Sequence, residues 1–271
     1  MADGGLVVRV MGSGTSAGVP MIGCACATCL SADSRDKRTR PSIVVSYADG
    51  AGEMHNILVD TTPELRLQAV REGLKRISAI VYTHAHADHI FGLDDVRRFN
   101  TLMGAPIPVY AAEEALTSIR RCFPYAFEAP LPPDRPHKDA IYRPELLARM
   151  IEGDFELFGR EWKTMWLPHG RFRTLGFRVG DFAYCTDCND VPAEAREKLR
   201  GLDVLIIDAL RPRPHPAHLS FEQALGIIED LKPRRAFFTH LSHDMRHEDI
   251  EKTLPAHVRV GYDGLKIEVG G

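Results

Sequence analysis

Three histidines and an aspartate lie within six positions of one another, directly after a short apolar segment. Residues 79–83 are too few for a helix and predict a buried strand, which the sequence His-Ala-His-Ala-Asp-His follows at once. His84 and His86 are two residues apart, so on an extended backbone they point the same way. Asp88 and His89 suit the start of a following helix. A solvated polar loop is the alternative, but clustered imidazole and carboxylate groups favour a Zn²⁺ or Mn²⁺ site.

Three further donors each follow a predicted strand. His169 ends Met-Trp-Leu-Pro-His, Asp187 ends Tyr-Cys-Thr-Asp, and His240 ends Phe-Phe-Thr-His. Loops at the strand ends of one layer lie along one edge, where clefts form, and with the first motif they suffice for two cations about 3.5–4 Å apart. Asp60 also ends a strand, and we expect it either to orient a ligating histidine or to cap the helix that Pro63 begins.

A loop near the N-terminus carries three closely spaced cysteines. They are Cys24, Cys26 and Cys29. They predict a structural zinc site, which needs a fourth ligand that the spacing does not identify. Cys185 and Cys188 are competitors, but their positions at a strand end favour core packing, and Cys122 is predicted to be a core thiol. The preceding glycine-rich loop, residues 12–18, lacks a phosphate-binding Gly-Lys-Ser/Thr ending and predicts a tight turn at the rim of the cleft.

Composition narrows the function classes. The chain has 271 residues, 44% of them hydrophobic, which is ample for one α/β domain. The net charge of −3 argues against an extended nucleic-acid surface or a polybasic membrane anchor. No signal peptide or membrane-spanning segment is recognisable, so we expect a cytoplasmic protein whose clustered cysteines bind metal rather than form disulfides.

Strands and helices alternate along both halves of the chain. Strands are predicted at 6–11, 42–47, 56–60, 79–83, 107–110, 155–158, 162–167, 174–179, 182–185, 204–207, 236–239, 258–260 and 265–269. Helices are predicted at 63–72, 91–100, 112–121, 192–199 and 220–230. This order suggests two facing sheets with helices outside, in a single domain spanning 1–271. The proline-rich and charged segment at about 128–148 is predicted to be a lid or insertion, with a solvated loop as the alternative.

The His-x-His-x-Asp-His pattern resembles the signature of the metallo-β-lactamase fold family. Three features extend the resemblance to the PhnP-like cyclic phosphodiesterases. They are Gly-Cys-x-Cys-x-x-Cys after the Gly-x-Gly-Thr loop, Thr-His240-x-Ser-His243, and the closing Val-Gly-Tyr-Asp-Gly264. The resemblance implies an αββα sandwich of two mixed sheets, two divalent ions (Zn or Mn) in the active site, and one structural zinc.

The resemblance also implies a ligand set for each ion. One active-site cation would be held by His84, His86 and His169. The other would be held by Asp88, His89 and His240. Asp187 would bridge the two cations, and the structural zinc would be completed by His243 beside Cys24, Cys26 and Cys29. Two cations held in this way would convert water to hydroxide for attack on phosphorus, so Asp88 and Asp187 are also catalytic candidates.

The expected reaction is hydrolysis of a small cyclic phosphate. A 5-phosphoribosyl 1,2-cyclic phosphate or a nucleoside 2′,3′-cyclic phosphate is the substrate that the resemblance implies. The leaving alkoxide needs a proton, for which we predict His218 as the donor and His215 as the alternative. Arg211, Arg213 and His215 are candidate contacts for substrate phosphate.

Rival functions are a tRNA-processing ribonuclease of the same fold, a thioester hydrolase of the glyoxalase II type, and a non-catalytic zinc protein resembling PqqB. The acidic charge balance and the absence of an obvious basic arm disfavour the ribonuclease. The expected partner is a small phosphorylated or nucleotide-like substrate. We expect no binding to a membrane or to an extended nucleic acid, and the sequence leaves open whether the protein forms a homodimer. A metal content of about three ions per chain would favour the enzyme over a zinc-only protein.

Overall fold

Two seven-stranded β-sheets form the centre of the computed structural model, which describes residues 5–129 and 143–270. The strands of the first sheet are β1 Leu6–Gly12, β2 Ser42–Ala48, β3 Met54–Val59, β4 Ala79–Val81, β5 Ile107–Ala111, β6 Leu146–Met150 and β14 Lys266–Val269. Those of the second sheet are β7 Phe155–Leu157, β8 Arg160–His169, β9 Phe172–Val179, β10 Phe182–Cys185, β11 Val204–Asp208, β12 Arg235–Thr239 and β13 Val258–Val260.

Both sheets are mixed, and each is built mainly from one part of the chain, except that the C-terminal strand β14 joins the first sheet. The first sheet has the order β14-β1-β2-β3-β4-β5-β6, antiparallel up to β3 and parallel from β3 to β6. The second has the order β13-β12-β11-β10-β9-β8-β7, parallel from β13 to β10 and antiparallel beyond. The carboxyl ends of neighbouring parallel strands lie at one edge of each sheet, which places the loops after β4 and after β12 where a cleft can form.

Helices cover the outer faces of the sheets. The α-helices are α1 Leu65–Arg71, α2 Ala87–Ile90, α3 Arg97–Met103, α4 Glu113–Cys122, α5 Ala193–Lys198, α6 Phe221–Leu231 and α7 His247–Glu251. Helix α6 is the longest of these, and Ser220 and Gln223 form a reciprocal capping box at its start. The αββα sandwich predicted from the resemblance is therefore confirmed.

The core has a layer between the sheets and one on each outer face. Strand β11 shows why this arrangement suits its sequence, because its residues are apolar without alternation. Val204 and Ile206 pack between the sheets beside Trp162, whereas Leu205 and Ile207 pack under the helices of the second half. A strand buried on both faces needs a continuous hydrophobic run, which is what Val-Leu-Ile-Ile supplies.

Apart from one helix, the predicted strands and helices lie within two residues of their observed bounds. The helix predicted at 91–100 is interrupted, because the backbone N–H of Gly92 donates to the carbonyl of Thr61 instead of to a helical carbonyl. Strand β6 and helix α7 were not predicted. Cys122 is exposed at the end of α4, so its prediction as a core thiol was wrong.

The segment predicted as a lid or insertion falls mostly outside the described residues, which exclude 130–142. Its last part was assigned wrongly, since Leu146 begins strand β6 and pairs in parallel with Ile107 of β5. Among the described residues, no helix combines the length and apolar character needed to cross a membrane.

Candidate metal centre

The predicted donors of the two active-site cations meet at one edge of the sandwich. They form two groups, within each of which the candidate ligand atoms lie within 4.8 Å of one another. The groups are His84, His86, His169 and Asp187, and Asp88, His89, Asp187 and His240. Asp187 belongs to both groups, as a carboxylate that bridges two cations would. Loops after β4, β8, β10 and β12 supply these side chains, so residues distant in sequence converge on one point.

Three strands end at this edge on residues with a left-handed backbone. Asp60 has φ 64°, Asp187 φ 53° and His240 φ 61°. Residues other than glycine adopt this conformation at a cost of about 1–3 kcal/mol, and such residues cluster at functional sites. The left-handed backbone at each of these three residues turns the chain away from its strand.

At this edge, several buried imidazole nitrogens have no hydrogen-bond partner among the described residues. They are Nε2 of His84, Nε2 of His89, and both ring nitrogens of His240. An unsatisfied buried polar atom costs about 1–3 kcal/mol. Four such nitrogens in one place therefore call for a partner outside the chain's own donors and acceptors. Nitrogen donors arranged around a shared carboxylate fit two divalent cations, and the residues present therefore suit the ions that the fold implies.

Electrostatics around Asp187 favour cation binding. Burial lowers the pKa of His84 well below its usual value, and the neighbouring His89 lowers it further, so this ring is neutral and able to ligate. For His89, burial acts in the same direction, but Asp187 and Asp88 outweigh it and raise its pKa well above the usual value. The carboxylates thus hold a positive charge in the metal-free protein, which is the charge that a divalent cation supplies when bound.

Hydrogen bonds from outside the donor set fix the orientation of two imidazoles. Asp60 accepts a hydrogen bond from His89 Nδ1 at 2.7 Å and two more from the backbone and hydroxyl of Thr83. His169 Nδ1 donates to the Ala217 carbonyl at 2.8 Å. Each bond leaves Nε2 of the ring for a metal. Asp60 therefore orients a histidine, and the alternative that it caps helix α1 is wrong.

Replacing Asp60 by asparagine should weaken metal binding without disrupting the fold. Asparagine keeps the shape and tolerates a positive φ, but it lacks the charge that strengthens the bond to His89. We expect the affinity for active-site Zn²⁺ to fall by about 10- to 100-fold, measured by competition with a chelator. Asp49→Asn is the matched control, since Asp49 pairs with His55 at 3.1 Å on the β2–β3 hairpin, outside the site. Equal affinities for the two variants would contradict the orienting role.

The predicted proton donor, His218, lies beside the donor groups. Its Nδ1 donates to Asp208 at 2.8 Å, and its ring stacks on that of His240 with the centroids 4.5 Å apart. Asp208 was missed in the sequence, although it ends the apolar strand Val-Leu-Ile-Ile-Asp just as Asp60 and Asp187 end theirs. A carboxylate at the end of a buried apolar run is therefore the signal that could have identified Asp208 as it identified Asp60 and Asp187.

A cavity of about 420 Å³ opens over the donor groups. His218 lines it, and so do Ser16 of the glycine-rich loop and the pair Arg171 and Phe172, on the turn from β8 to β9. Arg171 and Phe172 were not singled out from the sequence, because nothing in their spacing links them to the histidines.

The predicted phosphate contacts on the loop after β11 lie outside this lining. Arg213 is 72% exposed and its guanidinium pairs with Asp244 at 2.5 Å. Arg211 donates to the carbonyl of Pro214, and the ring of His215 lies 5.1 Å from that of His218. The structure thus brings His215 near the site but directs Arg213 to a carboxylate, and their role towards substrate stays a prediction.

The cysteine loop forms a separate donor group with His243. The Nδ1 atom of His243 lies 3.2 Å from Cys24 Sγ, 3.3 Å from Cys26 Sγ and 3.6 Å from Cys29 Sγ. A tetrahedral zinc bound to sulfur and nitrogen would separate the two atoms by about 3.5 Å, so the spacing fits this ion. A hydrogen bond from the Cys29 backbone and another with His243 lower the pKa of Cys26 to about 6, which favours the ligating thiolate.

Two residues separate His240 of the first site from His243 of the second. The carbonyl of one of them, Ser242, accepts a hydrogen bond from the fully buried Arg38. The other, Leu241, exchanges backbone hydrogen bonds with Ser13 and Thr15, which lie within the glycine-rich loop. Cys185 and Cys188 belong to the buried core, as predicted.

Comparisons with known proteins agree with this architecture. A family model described as the beta-lactamase superfamily domain matches residues 55–241, more than half of the chain. A crystal structure described as that of a new diphosphatase from the PhnP family is similar, with 42% identity, a TM-score of 0.87 and 97% of each chain covered. The chain belongs to the PhnP family of the beta-lactamase superfamily. The resemblance stated from the motifs is thereby confirmed.

Two curated relatives of this PhnP-family protein carry other names. An octanoyltransferase of Porphyromonas gingivalis is 36% identical over 260 residues, which are 95% of this chain and 50% of that protein. The chain thus spans about half the length of that relative. A coenzyme PQQ synthesis protein B of Methylobacterium radiotolerans is 26% identical over 220 residues, which cover 74% of this chain and 72% of the relative. Family, fold and donor groups together support a metal-dependent hydrolase.

Proposed function

We propose that this protein is a dinuclear metal-dependent phosphodiesterase that hydrolyses small cyclic phosphates. A 5-phosphoribosyl 1,2-cyclic phosphate and a nucleoside 2′,3′-cyclic phosphate are the candidate substrates. The observation that carries the proposal is the hydrogen-bonded pair of His218 and Asp208 beside two donor groups that share Asp187. Cleavage of a phosphodiester releases an alkoxide, which is strongly basic, so the reaction needs a proton donor at this place.

The residues of the chain divide the work between them. The two donor groups would hold two divalent cations, Zn or Mn, which would supply activation of water and offset the negative charge of the phosphoryl oxygens. Asp88 and Asp187 contribute the carboxylates that balance the charge of the cations. His218 keeps one proton on Nδ1 against Asp208 and delivers the other from Nε2 to the leaving oxygen. Arg171, in the cavity lining, meets the charge of the phosphate.

The cavity favours a small substrate over an extended nucleic acid. Its volume of about 420 Å³ lies within the range of small-ligand sites. The net charge of −3 supplies no broad electrostatic attraction for a polynucleotide. These features support a small cyclic phosphate over the substrate of a tRNA-processing ribonuclease.

Hydrolysis of a diphosphate is a second candidate, favoured by the 42% identity to the diphosphatase of the PhnP family. Both reactions begin with attack of water on phosphorus, and they differ in the group that leaves. A phosphate leaves without protonation, whereas an alkoxide does not, so His218 matters more for the cyclic substrates.

The test is a panel of substrates assayed with the protein loaded with Mn²⁺ or Zn²⁺. The panel contains both cyclic phosphates and a diphosphate-bridged dinucleotide, with products followed by phosphorus NMR. We expect turnover of a cyclic phosphate and about three metal ions per chain, two of them in the active site. Turnover of the diphosphate alone would favour the second candidate. No turnover with one metal ion per chain would favour a non-catalytic zinc protein.

Replacing His218 by alanine should affect substrates according to the basicity of the leaving group. We expect kcat for the cyclic phosphate to fall by about 10²- to 10⁴-fold, the contribution of a general acid. The fall should be much smaller with bis(p-nitrophenyl) phosphate, because nitrophenolate leaves without protonation. His215→Ala is the comparison, since its ring is adjacent but donates no hydrogen bond to Asp208 among the described contacts. Equal losses on both substrates would argue against proton transfer by His218.

A further inference from the structure

A second cavity adjoins the one over the metal centre and has no part in the chemistry described above. Its volume is about 500 Å³, and it shares His86, Arg171 and Phe172 with the first cavity. A group of the substrate that extends from the reacting phosphate past His86 therefore enters this space. Phe172 lies close to the predicted metal ligand His86, since the centroids of the two rings are 5.2 Å apart.

Phe172 is an exposed aromatic side chain at the junction of the two cavities. It is 52% exposed, although burial of a phenyl ring is favourable. It meets His86 edge to face, and the guanidinium of Arg171 lies 4.9 Å from its centroid. These contacts leave much of the ring open. An open aromatic ring at the mouth of an active site is a platform on which a planar group can stack.

Part of the lining of this second cavity is apolar. Trp166 and the alanines Ala112 and Ala115 line it, and Arg173 covers the Trp166 ring at 3.8 Å from its centroid. Arg173 is also paired with a carboxylate, Glu114, at 2.5 Å, so its charge is already neutralised. A cavity that is lined in part by apolar side chains, with a carboxylate beside its second arginine and an open aromatic ring, suits a flat heterocycle better than a second phosphate.

Arg171 differs from Arg173 in its pairing. Within residues 5–129 and 143–270, no carboxylate forms an ion pair with Arg171. Its guanidinium lines both cavities, so it is the cation available to an anionic group that lies between them. Such a group is the phosphate of a nucleotide whose base lies in the second cavity.

We propose that the second cavity binds the base of a nucleoside 2′,3′-cyclic phosphate, stacked on Phe172, while Arg171 contacts the phosphate. This inference rests on the proposed function and selects between its two candidate substrates. A 5-phosphoribosyl 1,2-cyclic phosphate has no base and would leave the space beside Phe172 unfilled. Phe172 is thus a specificity-determining residue.

The test compares two substrates in four proteins. Adenosine 2′,3′-cyclic phosphate and 5-phosphoribosyl 1,2-cyclic phosphate are assayed with the parent and with Phe172→Ala, Phe172→Leu and Phe172→Tyr. The measured quantity is the ratio of kcat/KM for the nucleoside to that for the base-free substrate. We expect the ratio to fall by about 5- to 150-fold in Phe172→Ala, the range for loss of one base–aromatic stack. Phe172→Tyr should restore it, and Phe172→Leu, which keeps apolar volume without the π-face, should restore it only in part.

A binding measurement separates failure of the subsite from failure of the proposed function. Calorimetry with adenosine 3′-monophosphate and ribose 5-phosphate reports on the base without requiring turnover. Tighter binding of the adenosine compound, lost in Phe172→Ala, supports the subsite even when no cyclic phosphate is cleaved. A ratio and a binding preference that change less than twofold in Phe172→Ala would overturn the proposal. In that case a parent protein that still cleaves cyclic phosphates keeps the proposed function.

Discussion

Replacement of Asp187 by asparagine is expected to lower kcat/KM by at least about a thousandfold. The side chain is shared by both donor groups, and its oxygens lie 3.3 Å from Nε2 of His89 and 3.3 Å from Nε2 of His240. Asparagine keeps the shape and accepts the left-handed backbone at this position, so the fold should persist. What is lost is the charge between the two cations. Assays with bis(p-nitrophenyl) phosphate and metal analysis of the same sample measure both effects.

Asp190→Asn is the matched control for this experiment. Asp190 lies in the same loop, three residues further on, but is exposed and pairs with Arg196 at 3.6 Å. The Asp190→Asn protein should retain the activity and the metal content of the parent. An Asp187→Asn protein with parental turnover, or with both active-site ions bound as tightly as in the parent, would refute the bridging role.

Replacement of Cys26 by serine is expected to destabilise the whole protein rather than the reaction alone. A structural zinc contributes its binding free energy to folding, so loss of one thiolate ligand should cost about 3–5 kcal/mol. For a chain of this size that cost lowers Tm by about 10 °C, measurable by calorimetry or circular dichroism. Zinc content should fall by about one ion per chain.

Cys122→Ser provides the control, since Cys122 is an exposed thiol at the end of α4 and belongs to none of the donor groups found among the described residues. It should leave Tm and zinc content as in the parent. Equal melting temperatures for Cys26→Ser and Cys122→Ser would show that the cysteine loop does not hold a stabilising ion.

The parts of the site that the sequence predicted share a local signal. His169, Asp187 and His240 each follow an apolar strand, and the geometry of sheets brings the ends of such strands together. The partner of the cysteine loop had no such signal, because His243 lies more than two hundred residues from Cys24. Only the resemblance of its motif to a known family predicted that pairing.

The parts that were missed depend on tertiary packing. Asp208 carries the strand-end signal but becomes functional only through its bond to His218. Arg171 and Phe172 lie where β8 turns into β9, next to the histidines of the site. Sequence spacing does not predict the position of this turn. Strand β6 is short and follows a proline-rich segment, so it acquires its conformation from pairing with β5 rather than from its own periodicity.

The two residues between His240 and His243 have a consequence for how the protein would bind and release the proposed ions. A zinc at the cysteine loop would add to the hydrogen bonds that hold the peptide carrying His240, so its loss would loosen the catalytic edge, whereas loss of the catalytic ions would leave the thiolates in place. Demetallation should therefore be hierarchical, so that a mild chelator strips the catalytic ions reversibly and a stronger one abolishes both sites together. Reconstitution would follow the reverse sequence, with the thiolate-bound zinc first.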